Sequence, residues 1–263
     1  MLRFFISPHP TFKSYKAPDR ERAEKSPYFW WWYALTLNTE YVRLCEQNAD
    51  DILLTDIPTE NEQKMRRVHE DFGDVRYEGD RYKAFCDWWR TPVSTGERRG
   101  EFLFAEPVHT STVSVLESVT DAERTIASAD TLVLSIPLNR QRQHVDKAID
   151  KLLKKHMRTE KGRAVRNPRQ SRARYHLNKA AVPSALKKSF DLYDAKRLSK
   201  EKNEKISNFD LAKSIDLAYL KQKTLDDSVL DEAAKRRIIS VQVTRYITQA
   251  EKIISKVLYG EFN

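Results

Sequence analysis

The chain reads as an α+β protein, predominantly α-helical, with aromatic-rich N-terminal helices, a small central sheet and a helical C-terminal unit. Three observations predict this. Apolar residues recur at spacings of three and four through both ends of the chain, the period of an amphipathic helix. Glycine is scarce, six in 263 residues, too few for the positive-φ turns of a large all-β fold. Between the helical ends lie short runs of β-branched and aromatic residues that favour strands.

Residues 1–25 are polar and punctuated by proline, and read as an arm. Ser26-Pro27 opens the first helix, because serine is a good N-cap and proline is favoured at the first helical position. That helix runs to about Gln47, with Trp30, Ala34, Leu37, Tyr41 and Leu44 on one face. Five consecutive aromatics, Phe29 to Tyr33, leave some rings off that face. Those rings either share a core with neighbouring helices or stack on bases, and the shared core is the simpler reading. A second helix covers Glu60 to Phe72, with Phe72-Gly73-Asp74 as its exit, and a third covers Tyr82 to Arg90 with Trp88 and Trp89. Together they make an aromatic-rich helical domain over 26–101.

The texture changes near residue 102. Phe102-Leu-Phe-Ala105 and Thr112-Val-Ser-Val-Leu116 are short and strand-like, and Thr131-Leu-Val-Leu-Ser-Ile136 is the clearest strand of the chain. Asn139 then caps a helix striped by Val145, Ile149, Leu152 and Leu153, and Arg174-Tyr-His-Leu177 offers one more strand. This is a small α/β unit over 102–180, carrying a basic arm over 151–174. Beyond Pro183 the chain is helical again, over Ala185 to about Lys200, Asn208 to about Leu220 and Asp231 to about Leu258, a basic domain over 181–263. Ser207 with Asp210 three residues on resembles a capping box.

Charge points to function. Residues 139–263 hold 30 Lys+Arg against 15 Asp+Glu, so the remainder, 1–138, holds 17 (47−30) against 23 (38−15). A net of +15 follows a net of −6. Such asymmetry suits a chain that lays its C-terminal half along a polyanion, since each phosphate neutralised releases condensed counterions. From Lys151 to Arg174 there are ten basic residues and one acid, Glu160. Pro168 and Gly162 disfavour a continuous helix there, so Arg163, Arg166, Arg169, Arg172 and Arg174 read as an extended arm suited to a phosphate backbone or a narrow minor groove, with Lys155 and Arg158 before it as further candidate nucleic-acid contacts. A solvated linker is the plain alternative.

In the last helix Ile239, Val243, Tyr246, Ala250, Ile254 and Val257 form one buried stripe. Gln242, Arg245, Gln249, Lys252 and Lys256 form another, polar one. Arginine and glutamine are the side chains that pair bidentately with guanine and adenine edges. Lys235-Arg236-Arg237 precedes them, placed for phosphate contacts. An ordinary solvated helix face would look similar.

Ile238-Ile-Ser-Val-Gln-Val-Thr-Arg-Tyr-Ile-Thr-Gln-Ala-Glu-Lys-Ile-Ile254, ending Val257…Gly260-Glu-Phe262, resembles the terminal helix of uncharacterised bacterial helix-turn-helix proteins of mobile elements and regulatory loci. Trp30-Trp-Trp-Tyr…Asn38…Tyr41 is similar to the short transcriptional-regulator-like domain of proteobacteria. The two matches cover about 45 residues of the 263. The resemblance implies a helix-turn-helix-like C-terminal unit and a DNA-binding regulator or accessory factor, and assigns no catalytic residue. One departure stands: a turn in such a motif takes three or four residues, whereas about ten, 221–230, precede the last helix.

Other classes find less support. There is neither a Walker A pattern nor a dinucleotide fingerprint, and no cofactor is expected. Cys45 and Cys86 lie far apart without Cys or His neighbours and read as buried free thiols. His69, Glu70, Asp71 and Asp74 point in different directions on a helix, and the six histidines form no pair with metal-ligand spacing. Tyr246 invites comparison with a tyrosine recombinase but falls on the buried stripe, and no His-x-x-Arg pattern accompanies it. No segment approaches 18 consecutive apolar residues, so no membrane partner is expected. The expectation is a cytoplasmic, nucleoid-associated protein that binds nucleic acid, double-stranded DNA foremost, in a regulatory or architectural role. Its acidic N-terminal half would meet protein partners or a second copy. The rival is a nuclease or recombinase component of a mobile-element or phage-defence system, or a non-catalytic subunit of one.

Overall fold

Three consecutive tryptophans, Trp30, Trp31 and Trp32, are fully buried, and each faces a different wall. They lie on α2 (Pro27–Leu37), in which every residue from Pro27 to Leu35 is buried. Successive helical positions point about 100° apart, so a helix apolar all round must be enclosed. Trp30 stacks on Phe190 of α9 (Pro183–Glu201), with ring centroids 5.2 Å apart. Trp31 stacks on Phe262 at 5.1 Å and lies beside Phe72 of α4 (Glu60–Phe72). Trp32 meets Phe85 and Trp88 of α5 (Arg81–Arg90). The aromatic run is therefore core.

The computed structural model describes residues 5–8, 10, 20–46, 59–106, 115–116, 118–126, 132–156, 159–160, 163–164, 171–177, 179–215 and 232–262. Of the described residues, 66% are helical. Contacts divide the chain into one unit of Met1–Glu106 with Pro168–Asn263, and a second of Pro107–Asn167. Boundaries at 101/102 and 180/181 do not appear, because the main core draws on both chain ends, from Phe5 to Phe262. The N-terminal segment is also no free arm where it is described. Phe5 is buried against Tyr28 and Trp89, and Arg20–Glu24 forms α1.

In the first unit the helix expected to run to Gln47 breaks at Asn38, which takes an extended backbone. Its Oδ1 accepts from the Tyr41 N–H at 2.9 Å, capping α3 (Thr39–Glu46). Its Nδ2 donates to the Ile254 carbonyl at 2.7 Å. Asparagine competes with the helical backbone and prefers a cap, and here a distant partner rewards the break. α4 carries a capping box between Thr59 and Glu62 and exits at Gly73, at φ 64°. Residues 102–105, expected as a strand, instead end α6 (Arg99–Phe104), whose Leu103 and Phe104 are buried. An ideal Cβ at Gly100 would lie 2.0 Å from Trp89, so only glycine admits this approach.

A polar network ties the two chain ends. Glu24 accepts from Arg20 at 3.2 Å and Lys187 at 3.0 Å, and from the Tyr82 hydroxyl. Burial pushes its carboxyl up, but the Tyr82 and Lys187 bonds outweigh this and hold it below the usual carboxylate range. Asp194 accepts from the Tyr33 hydroxyl at 2.6 Å and pairs with Arg81 at 3.4 Å. Burial pushes Asp194 upward despite those partners. Cys86 is buried and Cys45 half-buried, both free, and burial pushes the Cys45 thiol up to about 11.

A second core joins Leu192 of α9, Leu211 and Ala212 of α10 (Asn208–Ser214), and Val243 and Ile247 of α11 (Glu232–Val257). Ser207 caps α10 by accepting from the Asp210 N–H.

The second unit contains α7 (Val119–Ile126) and α8 (Arg142–His156), which has no buried residue. The central sheet is not supported. Residues 132–136 adopt no regular structure, Thr131 lies outside the described residues, and of Thr112–Leu116 only 115–116 are described. Among the described residues the paired strands are β1 (Thr159–Glu160) and β2 (Arg163–Ala164), antiparallel with Glu160 opposite Arg163. β-propensity makes a strand only when a neighbour completes the ladder, and residues 132–136 find none among the described residues.

Candidate nucleic-acid interface

α11 sets the geometry. At 1.5 Å per residue its 26 residues span about 39 Å. Val243, Ile247, Ala250, Ile254 and Val257, at spacings of four, three, four and three, are buried, with Ile253 beside them. Four of the six expected stripe positions are thus buried. Ile239 and Tyr246 are half-buried and pack against the same core, and Ile247 joins the face against α9 and α10. The opposite face carries Arg237, Val241, Thr244, Arg245, Thr248 and Lys252, all exposed. Among the described residues no carboxylate pairs with Arg237, Arg245 or Lys252. Their spacings of eight and seven residues place them about 12 Å and about 10 Å apart along one rigid rod.

The glutamine–arginine stripe is engaged residue by residue. Gln242 is half-buried, with Oε1 enclosed and without a partner among the described residues. Gln249 accepts from the Ser189 hydroxyl of α9 at 3.3 Å. Lys256 pairs with Glu261 at 3.5 Å. Arg245 and Lys252 alone of that stripe project freely. Of the Lys235-Arg236-Arg237 run, Lys235 is half-buried, and Arg236 pairs with Glu232 at 3.6 Å and lies 5.1 Å over the Phe209 ring.

The arm is not one element. Lys155 is exposed in the last turn of α8, in the second unit, and Arg163 belongs to β2. Arg158, Arg166 and Arg169 lie outside the described residues. Arg172 and Arg174 belong to the first unit, in a segment stitched to the end of α6. Glu106 accepts from the Ser171 hydroxyl and from the Arg172 N–H at 2.8 Å, and the Tyr175 N–H donates to the Leu103 carbonyl at 3.0 Å. The expected strand 174–177 is absent, yet its period of two survives. Ala173, Tyr175 and Leu177 are buried while Arg172, Arg174 and His176 face outward.

Arg174 is anchored. Its Nε donates to Asp71 Oδ2 at 2.7 Å, and its guanidinium lies 5.0 Å over the Phe102 ring. The Tyr175 hydroxyl donates to the same oxygen at 2.7 Å. Asp71, seen in sequence as part of a solvated face, is buried. Asp74 pairs instead with Arg76 at 2.7 Å, and His69 packs beside Tyr41. Among the described residues no group of three His, Cys, Asp or Glu is placed to hold a metal.

Sequence reasoning passed over Lys64 and Arg67, which stand three apart on α4 with Asp71 one further turn along. With Arg174 and His176 they line a cleft of about 430 Å³. Their spacing on a helix whose other face is apolar was the available signal. No helix among the described residues is long and apolar enough to cross a membrane. Comparison with protein-family models, with curated proteins and with solved structures gives no match.

Proposed function

We propose that this chain binds double-stranded DNA through the exposed face of α11, as a regulatory or architectural protein. The observation that carries the reading is Arg237, Arg245 and Lys252: three cations without a carboxylate partner among the described residues, on one side of a helix fixed by two cores. On a rigid helix the backbone is already ordered, so only the side chains lose freedom when they meet phosphates. Arg245, between the other two, is the side chain suited to reach a guanine edge, and the exposed Val241 supplies an apolar surface of the kind that meets a thymine methyl. The charge split of the sequence supports the same polyanion, through both units separately.

The test is retention of a random-sequence duplex at several salt concentrations. If Arg237, Arg245 and Lys252 each meet one phosphate, the log–log slope is negative and at least about 2.7 in magnitude, and steeper where further basic residues join them. A flat salt response, or no retention at low salt, would overturn the reading.

A further inference from the structure

The geometry points to a second site: the cleft between α4, the 172–177 segment and the turn after α11 binds a phosphate monoester of nucleotide size. Lys64 and Arg67 enter it from α4, and Arg174 and His176 from the outward side of the extended segment. Arg67 forms no hydrogen bond or ion pair among the described residues. Arg174 spends only its Nε on Asp71, and among the described residues neither Nη has a hydrogen-bond partner. A guanidinium held by a buried carboxylate and an aromatic face is pre-oriented, with its fork free for two phosphate oxygens. Lys64 reaches back to Glu60 at 2.8 Å on an exposed rim, an attachment easily exchanged.

The remaining wall is apolar and close. Val68 and Tyr259 line it, and Gly260 closes it at φ 75°, where an ideal Cβ would lie 2.9 Å from the Tyr175 ring. Gly260 donates to the Val257 carbonyl at 3.0 Å and the Glu261 N–H to the Lys256 carbonyl at 3.2 Å, so these helix-end carbonyls are occupied. The carboxylate on the cleft, Glu261, is turned to Lys256. Three side-chain cations, Lys64, Arg67 and Arg174, and the rings of Tyr175 and Tyr259 line the same cleft of about 430 Å³, a lining that suits a phosphate with a planar group attached.

A free mononucleotide and the phosphorylated end of a strand offer the same chemistry. Titration calorimetry at constant ionic strength on the full chain separates them, using inorganic phosphate, adenosine monophosphate, adenosine, and a trinucleotide with and without its 5′-phosphate. Saturable binding of adenosine monophosphate, about tenfold tighter than inorganic phosphate and absent for adenosine, is expected. Comparable binding of the phosphorylated trinucleotide makes a strand end an equal source, and its exclusion assigns the cleft to the free nucleotide. Arg67→Gln weakens the monophosphate about tenfold with an unchanged unfolding midpoint. Replacing Arg237, Arg245 and Lys252 together by Gln leaves it unchanged, so this site stands or falls apart from the α11 face. No saturable binding of any phosphate probe, or equal binding by Arg67→Gln, would overturn the proposal.

Discussion

Replacing Arg237, Arg245 and Lys252 together by glutamine is the sharpest perturbation the structure suggests. The three side chains are exposed and bond to no described carboxylate, so the helix and its buried face keep their contacts. Glutamine has good helix propensity and preserves most of the length of each side chain. If each cation neutralises one phosphate, each contributes about −0.9 to the slope of log affinity on log salt, and the variant's slope is shallower by about 2.7. Between about 50 and about 200 mM salt, a fourfold change, the wild type then loses roughly 40-fold more affinity than the variant. Fluorescence anisotropy of a labelled random duplex over that range reads the difference directly. A variant with the wild-type slope and an unchanged unfolding midpoint would show that this face does not meet phosphates.

Two further perturbations test the fold that presents the face. Asn38→Ala removes the α3 cap, about 1 kcal/mol, and the bond to the Ile254 carbonyl, about 1 kcal/mol more, so the urea midpoint falls at unchanged m-value. A loss under about 0.5 kcal/mol would contradict the anchoring role given to this residue. Glu24, held below its ordinary value near 4.5, contributes stability present above that pH and lost as pH falls through its folded value. Glu24→Gln therefore costs about 2 kcal/mol at neutral pH, and the gap to wild type closes in acid. Asp194, pushed above its ordinary value near 3.8, carries the opposite sign, and the stability of Asp194→Asn relative to wild type rises as pH climbs above that value. Urea midpoints between acid and neutral pH check both, and a Glu24→Gln gap that widened in acid would refute the network's assignment.

Local signals were legible and distant ones were not. The helix over Glu60–Phe72 follows from its own residues, since its periodicity and glycine exit are written within a few positions of its ends. The break at Asn38 is decided by a carbonyl 216 residues away. Residues 102–105 have strand-like composition, but Leu103 and Phe104 are buried from a helix, and burial overrides weak propensity. On α11 periodicity identified the amphipathic helix and most of its buried face but not the enclosure of Gln242 or the partners of Gln249 and Lys256, which other segments supply. Arg174 read as one more free cation of a charge run. Its tie to Asp71 joins residues 103 apart, a distance that no spacing rule spans.

The placement of Phe262 and Phe190 against the tryptophans of α2 also has a consequence for biosynthesis. A nascent chain that has reached residue 180 holds Trp30 and Trp31 without the rings that cover them. Closing a core across so many intervening residues is slow, because the loop entropy is lost before the contacts form. Until Phe190 and Phe262 have left the ribosome, the aromatic helix is a sticky surface in need of shelter. Pro107–Asn167, a separate unit that lies in sequence between the two halves of that core, lengthens the wait.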